Sequence, residues 1–178
     1  LEIADCIIDD LTGNSHYGVL QTDKVAISSI AVEMTNTTIA NTGEKAATIF
    51  RTNTKQGNVS LVVKNCTFYN LFSGEVLMRD IIGSTNSFTA ENILFAGNGS
   101  VKIFYKANDV PSIINGSKIY SSSDLTVANA GEVSTTALSY SSSQLFPNAS
   151  SSTDVLDLTF GADIPNEVKI IGDPRWNK

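Results

Sequence analysis

The sequence predicts an all-β chain: a right-handed parallel β-helix of about four to five coils, followed by an irregular C-terminal cap. Three observations predict it. A strand-length motif recurs with a period near thirty residues, a second apolar segment follows each copy at a nearly constant offset, and both are rich in β-branched and aromatic residues. The apolar runs are four or five residues long and are broken by Gly, Asn, Ser and Thr, where a helix would need apolar residues at three- and four-residue spacing over ten or more positions.

The first motif reads Ala4-Asp5-Cys6-Ile7-Ile8, then Thr35-Asn36-Thr37-Thr38-Ile39, Lys64-Asn65-Cys66-Thr67-Phe68 and Glu91-Asn92-Ile93-Leu94-Phe95, with a degraded fifth copy at Asn115-Gly116-Ser117-Lys118-Ile119. Aligning Asp5, Asn36, Asn65, Asn92 and Gly116 gives spacings of 31, 29, 27 and 24 residues. The second segment reads Val19-Leu20-Gln21-Thr22, Ile49-Phe50-Arg51-Thr52, Leu77-Met78-Arg79-Asp80 and Ile103-Phe104-Tyr105-Lys106. A third short strand precedes each Asn, at Ala26-Ile27, Val59 to Val62 and Phe88-Thr89. Three strands in fixed phase make one coil, and successive coils stack about 4.8 Å apart.

Stacking turns sequence columns into structure. Asp5, Asn36, Asn65 and Asn92 become a ladder at a tight bend, where Asn bonds both backbone and its neighbour. Cys6, Thr37, Cys66 and Ile93 form one core column, and Ile8, Ile39, Phe68, Phe95 and Ile119 another. Cys6 and Cys66 then sit two coils apart, roughly 9–10 Å on the strand repeat, beyond disulfide reach. Two free, buried thiols are expected, not a redox or metal pair.

The coils occupy residues 1–125, and 126–178 is the capping segment of the same domain. After about Leu125 the period is lost in Ser- and Thr-rich chain, with Leu145-Phe146 and Val155 to Phe160 as apolar anchors. This segment is expected to cross the end of the stack, because an end coil exposes apolar side chains and unpaired backbone groups.

Composition narrows the function. A net charge of −6, a pI near 4.6 and no Lys/Arg run argue against nucleic acid as a partner. No apolar run approaches the length of a membrane-spanning helix. The opening at Leu1, already strand-like, reads as a start in mid-fold, with N-terminal coils or a further domain preceding it.

The column Gln21, Arg51, Arg79, Tyr105, with Lys106 beside it, is the candidate substrate-binding face. Two arginines at rung spacing suit an anion bridged by their planar forks, and Tyr105 offers a ring for a sugar. The bland alternative is a pair of solvated arginines near Asp80 or Glu75. A lyase acting by β-elimination would add a base and an acid. Arg51, Arg79, Tyr105 and Lys106 could be cast in those roles, but no catalytic residue is singled out. Asp10, Glu44, Glu75 and Asp80 give no glycosidase pair, His16 has no nucleophile partner, and Asp9-Asp10 is too small a cluster for Ca²⁺. No cofactor or metal is expected.

The coil motif around Asn65 resembles that of pectate-lyase-like β-helix proteins. The ending Ile171-Gly172-Asp173-Pro174-Arg175-Trp176, after Leu145-Phe146-Pro147 and Leu156-Asp157-Leu158-Thr159, resembles the C-terminal domain family of unknown function of Bacteroidetes surface β-helix proteins. The resemblance covers most of the chain. It implies a secreted or outer-surface protein, lipid-anchored through a missing N-terminus, often encoded beside polysaccharide-utilisation genes. It carries no catalytic motif. The expected function is therefore a non-catalytic, carbohydrate-binding or glycan-facing module with an acidic polysaccharide as partner. Part of a uronate lyase is the alternative, and an adhesin or structural spacer the next.

Overall fold

The structure, a computed structural model, describes residues 1–11, 18–22, 29–43, 48–52, 56–72, 76–79, 83–104, 110–116, 118–128, 133–149 and 155–178. It is a β-solenoid in which every strand pairing among the described residues is parallel. The first rung holds β1 (Glu2–Ala4), β2 (Ile7–Ile8) and β3 (Gly18–Thr22). The second holds β4 (Ser29–Thr35), β5 (Thr38–Ala40) and β6 (Thr48–Thr52). The third runs through β7 (Gln56–Tyr69) and β8 (Val76–Arg79), and the fourth through β9 (Gly83–Ala96) and β10 (Gly99–Phe104). The fifth is β11 (Ile113–Gly116), β12 (Ile119–Ser121) and β13 (Leu125–Ala128), with β14 (Thr136–Ala137) added beyond β12.

One sheet stacks β1-β4-β7-β9-β12-β14, with β2, β5 and β11 beside that path, and the other stacks β13-β10-β8-β6-β3. About three turns are full. The end rungs have strands of only two to five residues, which accounts for the difference from the four to five coils expected.

The Asn column is a ladder. Asn36 Nδ2 donates to Asp5 Oδ1 at 3.1 Å, Asn65 Nδ2 to Asn36 Oδ1 at 3.2 Å, and Asn92 Nδ2 to Asn65 Oδ1 at 3.0 Å. All four residues are left-handed, with φ between 46° and 56°. Asn and Asp tolerate that region because their short side chains bond locally. The ladder lies on an outer corner, not in the interior, with Asn36, Asn65 and Asn92 half-buried and Asp5 exposed, since the bend turns these side chains away from the core.

A second ladder runs five residues further on. Asn41 Nδ2 donates to Asp9 Oδ1 and Asn70 Nδ2 to Asn41 Oδ1, both at 2.8 Å, and Asp10, Asn41 and Asn70 are again left-handed. Gly97 continues the bend at φ 144°, where a Cβ would come within 3.1 Å of the Asn70 backbone.

Inside, Ile8, Ile39, Phe68 and Phe95 stack in register, and the rings of Phe68 and Phe95 lie 4.9 Å apart, nearly parallel. Two expected alignments are corrected. Ile119 pairs with Ile93, so Ser121 completes the Phe95 column and Ile119 completes that of Cys6, Thr37, Cys66 and Ile93. Gly116 pairs with Ala90, not Asn92. Stacking of Ile119 on Ile93 sets this register and leaves Lys118 at the bend. In the second rung Ile30 and Val32 pair with Val59 and Leu61, and Ala26-Ile27 lies outside the described residues.

The C-terminal segment does two jobs. Residues 133–140 close the end of the stack: β14 pairs with β12, Leu138 N donates to Ser121 O at 2.7 Å, and Val133 joins the core. Residues 141–149 and 155–178 then lie along the flank of the stack and do not cross its end. Helix α1 (Ser142–Leu145) opens with a Ser141/Gln144 capping box. Ser142 N and Oγ bond the Asp124 carboxylate at 2.9 and 2.7 Å. Burial of Asp124 opposes its charge, but hydrogen bonds from Ser122 and Ser142 hold it below the usual carboxylate range.

A second core forms where Leu145, Phe146, Leu158, Phe160, Ile164, Val168 and Trp176 cover Leu94 and Ala96. Val168 belongs to helix α2 (Asn166–Lys169), and Trp176 to a closing 3₁₀ turn at Pro174–Trp176.

Every residue of the Gly-Asp-Pro-Arg-Trp ending has a docking role. Gly172 is left-handed, its N–H donates to Asn92 Oδ1 at 3.3 Å, and a Cβ there would collide with Thr67 Oγ1. Asp173 is buried, and its N–H donates to Thr67 Oγ1 at 2.9 Å. Its carboxylate accepts from Thr38 Oγ1 at 2.8 Å and pairs with Arg175 Nε at 2.8 Å. Pro174 starts the 3₁₀ turn. Arg175 Nη2 reaches Asn36 O at 2.7 Å, and Trp176 Nε1 donates to Thr38 Oγ1 at 2.8 Å.

Two stability measurements check this account. Asn65→Ala loses both ladder partners and keeps the left-handed strain, for an expected loss of about 2–4 kcal/mol, and Asn65→Gly should lose about 1 kcal/mol less because glycine adopts that φ freely. Equal losses in urea unfolding would remove the bend from the explanation. Thr38→Val leaves Asp173 and the Trp176 N–H each one partner short in a buried place and should cost about 2–4 kcal/mol, whereas an unchanged midpoint would deny the clamp.

Candidate functional site

On the second sheet, β3, β6 and β8 carry the predicted binding column in register: Gln21 pairs with Arg51, and Arg51 with Arg79. The apolar residues beside them fix that phase. Leu20, Phe50, Met78 and Phe104 follow the same stacking, and Phe50 and Phe104 are fully buried. Neighbouring strands place the backbones of Arg51 and Arg79 about 4.8 Å apart. Gln21 and Arg51 are half-buried, and neither is without a partner. Tyr105 lies outside the described residues, as do Lys106, His16, Glu44, Glu75 and Asp80.

The register sets the backbone positions of Gln21, Arg51 and Arg79 at rung spacing on one sheet. Such a row suits carboxylates or sulfates repeated along a chain, since the guanidinium fork binds them bidentately. Among the described residues no group of three or more His, Cys, Asp or Glu is placed to hold a metal ion, and no helix is long and apolar enough to cross a membrane.

The two cysteines share one core column. Both are free, with Thr37 stacked between them. Cys66 is buried, and Cys6 is half-buried, more open than expected because it lies in the short first rung. Cys66 Sγ donates to Lys64 O and Cys6 Sγ to Ala4 O, each at 3.1 Å. Thr37 Oγ1 makes the same bond to Thr35 O at 2.8 Å, so Cys and Thr are interchangeable here as small donors to the carbonyl two residues back. Burial pushes the Cys66 thiol up to about 12, well above the ordinary 9.0.

A groove of about 760 Å³ lies between the C-terminal segment and the first rung, walled by Ile7, Val155 and Trp176 and edged by Asp157, Arg175 and Lys178. Sequence reasoning missed it because its walls are 171 residues apart in the chain, from Ile7 to Lys178. Ile7 itself gave little signal, because its column continues through Thr38 and Thr67 to the apolar Leu94.

No family model matches this chain, and no curated protein or solved structure does either.

The raised Cys66 thiol has a defined consequence for stability. The folded chain holds a proton that the unfolded chain releases near pH 9, so this contribution is complete below that pH and is lost as pH rises from 9 towards 12. Urea midpoints should fall more steeply above about pH 9 for the native chain than for Cys66→Ala. Iodoacetamide, followed by mass spectrometry, should label Cys6 and spare Cys66 until the chain unfolds.

Proposed function

We propose that the chain is a non-catalytic, glycan-facing module of a secreted or outer-surface β-solenoid protein, and that its ligand is an acidic polysaccharide. One observation carries this reading: the register that sets Gln21, Arg51 and Arg79 side by side on β3, β6 and β8. Stacked strands hold the backbones of these residues at the strand spacing before any ligand arrives. A polymer lying across the rungs loses less ordering entropy on binding to such a row than to mobile loops. Its carboxylates or sulfates would offer acceptors to the two arginines.

The lyase alternative needs a base and an acid beside the arginines. The residues cast for it, Tyr105 and Lys106, fall outside the described part, so binding is the reading that the register supports by itself. The spacer alternative is favoured by the way both ladders and the whole Gly-Asp-Pro-Arg-Trp ending are engaged in internal bonds.

Calorimetric titration with polygalacturonate, alginate and a neutral glucan separates the three. The module should bind the acidic polymers and not the neutral one. Arg51→Ala/Arg79→Ala should weaken binding at least about tenfold, as expected for the loss of charge-assisted hydrogen bonds. Added salt should weaken it further. Equal binding by the double variant would dismiss the column, absence of any binding would leave the spacer, and absorbance from an unsaturated uronate would establish the lyase.

A further inference from the structure

The ladder asparagines are chemically locked. Asn65 donates its Nδ2 to Asn36 and accepts at Oδ1 from Asn92. The residues that follow Asn36, Asn65 and Asn92 are Thr37, Cys66 and Ile93, each with a side chain beside its own backbone nitrogen, and Ile93 N is bonded to Lys118 O at 2.9 Å. Asn98 stands at a corner too, but in neither ladder. It follows Gly97, which takes the second-ladder corner in the fourth rung, and occupies the bend between β9 and β10. Asn98 and Gly99 are both exposed. Gly97 and Gly99, on either side of Asn98, have φ of 144° and 93°, backbone that only glycine adopts without strain.

An asparagine amide carbon is open to attack by the backbone nitrogen of the next residue. A side chain on that residue screens the nitrogen, and glycine leaves it bare. The backbone between the two must also rotate to bring them together. The sequence holds two Asn-Gly pairs, Asn98-Gly99 and Asn115-Gly116, and Asn115 is exposed as well. Local structure separates them. Asn115 lies inside β11, where Ile114, Asn115 and Gly116 pair with Phe88, Thr89 and Ala90, so rotation there breaks strand pairing. Asn98 precedes the first paired residue of β10, Gly99 against Leu125, and its rotation leaves the pairs at Ser100 and Val101 in place.

We propose that Asn98 is a site of covalent modification by water, at which the folded chain deamidates selectively. Solvent base takes the Gly99 N–H proton, and Gly99 N bonds Asn98 Cγ. The Cγ–Nδ2 bond breaks, and the amide nitrogen takes up a proton and leaves as ammonia. Water then opens the cyclic imide at one carbonyl or the other, giving aspartate or isoaspartate at position 98. Phe95 pairs with Ser121 and Gly99 with Leu125, the same shift along the chain on both sides of the bend, which sets position 98 opposite Asp124 on the next rung. The product therefore adds a carboxylate beside the one that holds the start of α1 through Ser142, and like charges on adjacent strands oppose one another.

The test incubates the intact chain at mildly alkaline pH, folded in buffer and unfolded in guanidinium chloride. Trypsin cuts at Lys102 and Lys106, between the two Asn-Gly pairs, and tandem mass spectrometry assigns each conversion to its residue. In the folded chain Asn98 should convert at least about tenfold faster than Asn115, because β11 must open before Asn115 reacts, and Asn36, Asn65 and Asn92 should stay intact. In denaturant the two Asn-Gly pairs should convert at similar rates. Enzymatic carboxyl methylation should detect isoaspartate at position 98, and Asn98→Gln, one methylene longer, should give none. Equal rates at Asn98 and Asn115 in the folded chain would overturn selection by the bend. Conversion of Asn98 in denaturant but not in the folded chain would overturn the site, as would conversion led by a ladder asparagine.

Discussion

Everything in this molecule depends on the rungs lying over one another in one register, and the left-handed bends enforce it. Among the described residues, seven that are not glycine adopt positive φ: Asp5, Asp10, Asn36, Asn41, Asn65, Asn70 and Asn92. Each costs about 1–2 kcal/mol for an ordinary side chain. At these corners the cost is offset because the same geometry aims an amide at the rung before it. Asn36 N also bonds Lys64 O, and Asn41 N bonds Tyr69 O. A rung slipped by one residue would lose its ladder bonds and turn its core column outward, since side chains alternate faces along a strand.

The C-terminal segment reads that register. Its contacts touch successive rungs in order: Asn36 and Thr38, then Thr67, then Asn92. Because the outward column is covered, polar Thr38 and Thr67 can be fully buried there without being left unsatisfied. The segment therefore braces the solenoid against sliding as well as supplying a second apolar core, and its conspicuous ending is accounted for by docking. A motif engaged in this way offers no free chemistry, which moves the search for function to the second sheet.

Parts of this were legible in the sequence for a physical reason. Asp5, Asn36, Asn65 and Asn92 stand out because few residues tolerate that bend, and the apolar segments between them keep nearly constant phase. The second ladder was equally present, with Asp10, Asn41, Asn70 and Gly97 each five residues on, but a reading built on one polar column does not look for another. The fifth rung went astray because Gly116 looks like a bend residue, while packing of Ile119 on Ile93 decides the register. The flank docking was not legible at all. It depends on Thr38 and Thr67 facing out, and strand parity at a corner follows from the three-dimensional bend, not from the alternation of the sequence. The groove follows from that docking and shared its invisibility.

The ladders also have a direction. Every Nδ2 donates toward the first rung, and both chains end there on a carboxylate, Asp5 in one and Asp9 in the other. An aligned row of amides polarises each member, and a charged acceptor at its end bonds more strongly than an amide oxygen would. Asp accepts but has no amide to pass on, so among the described rungs the chain of donation ends on it. The solenoid is thus ordered lengthwise by polar rows on its corners and by aromatic stacks inside. The spacing of the residues along each column is thereby fixed by the backbone at the interval of the rungs.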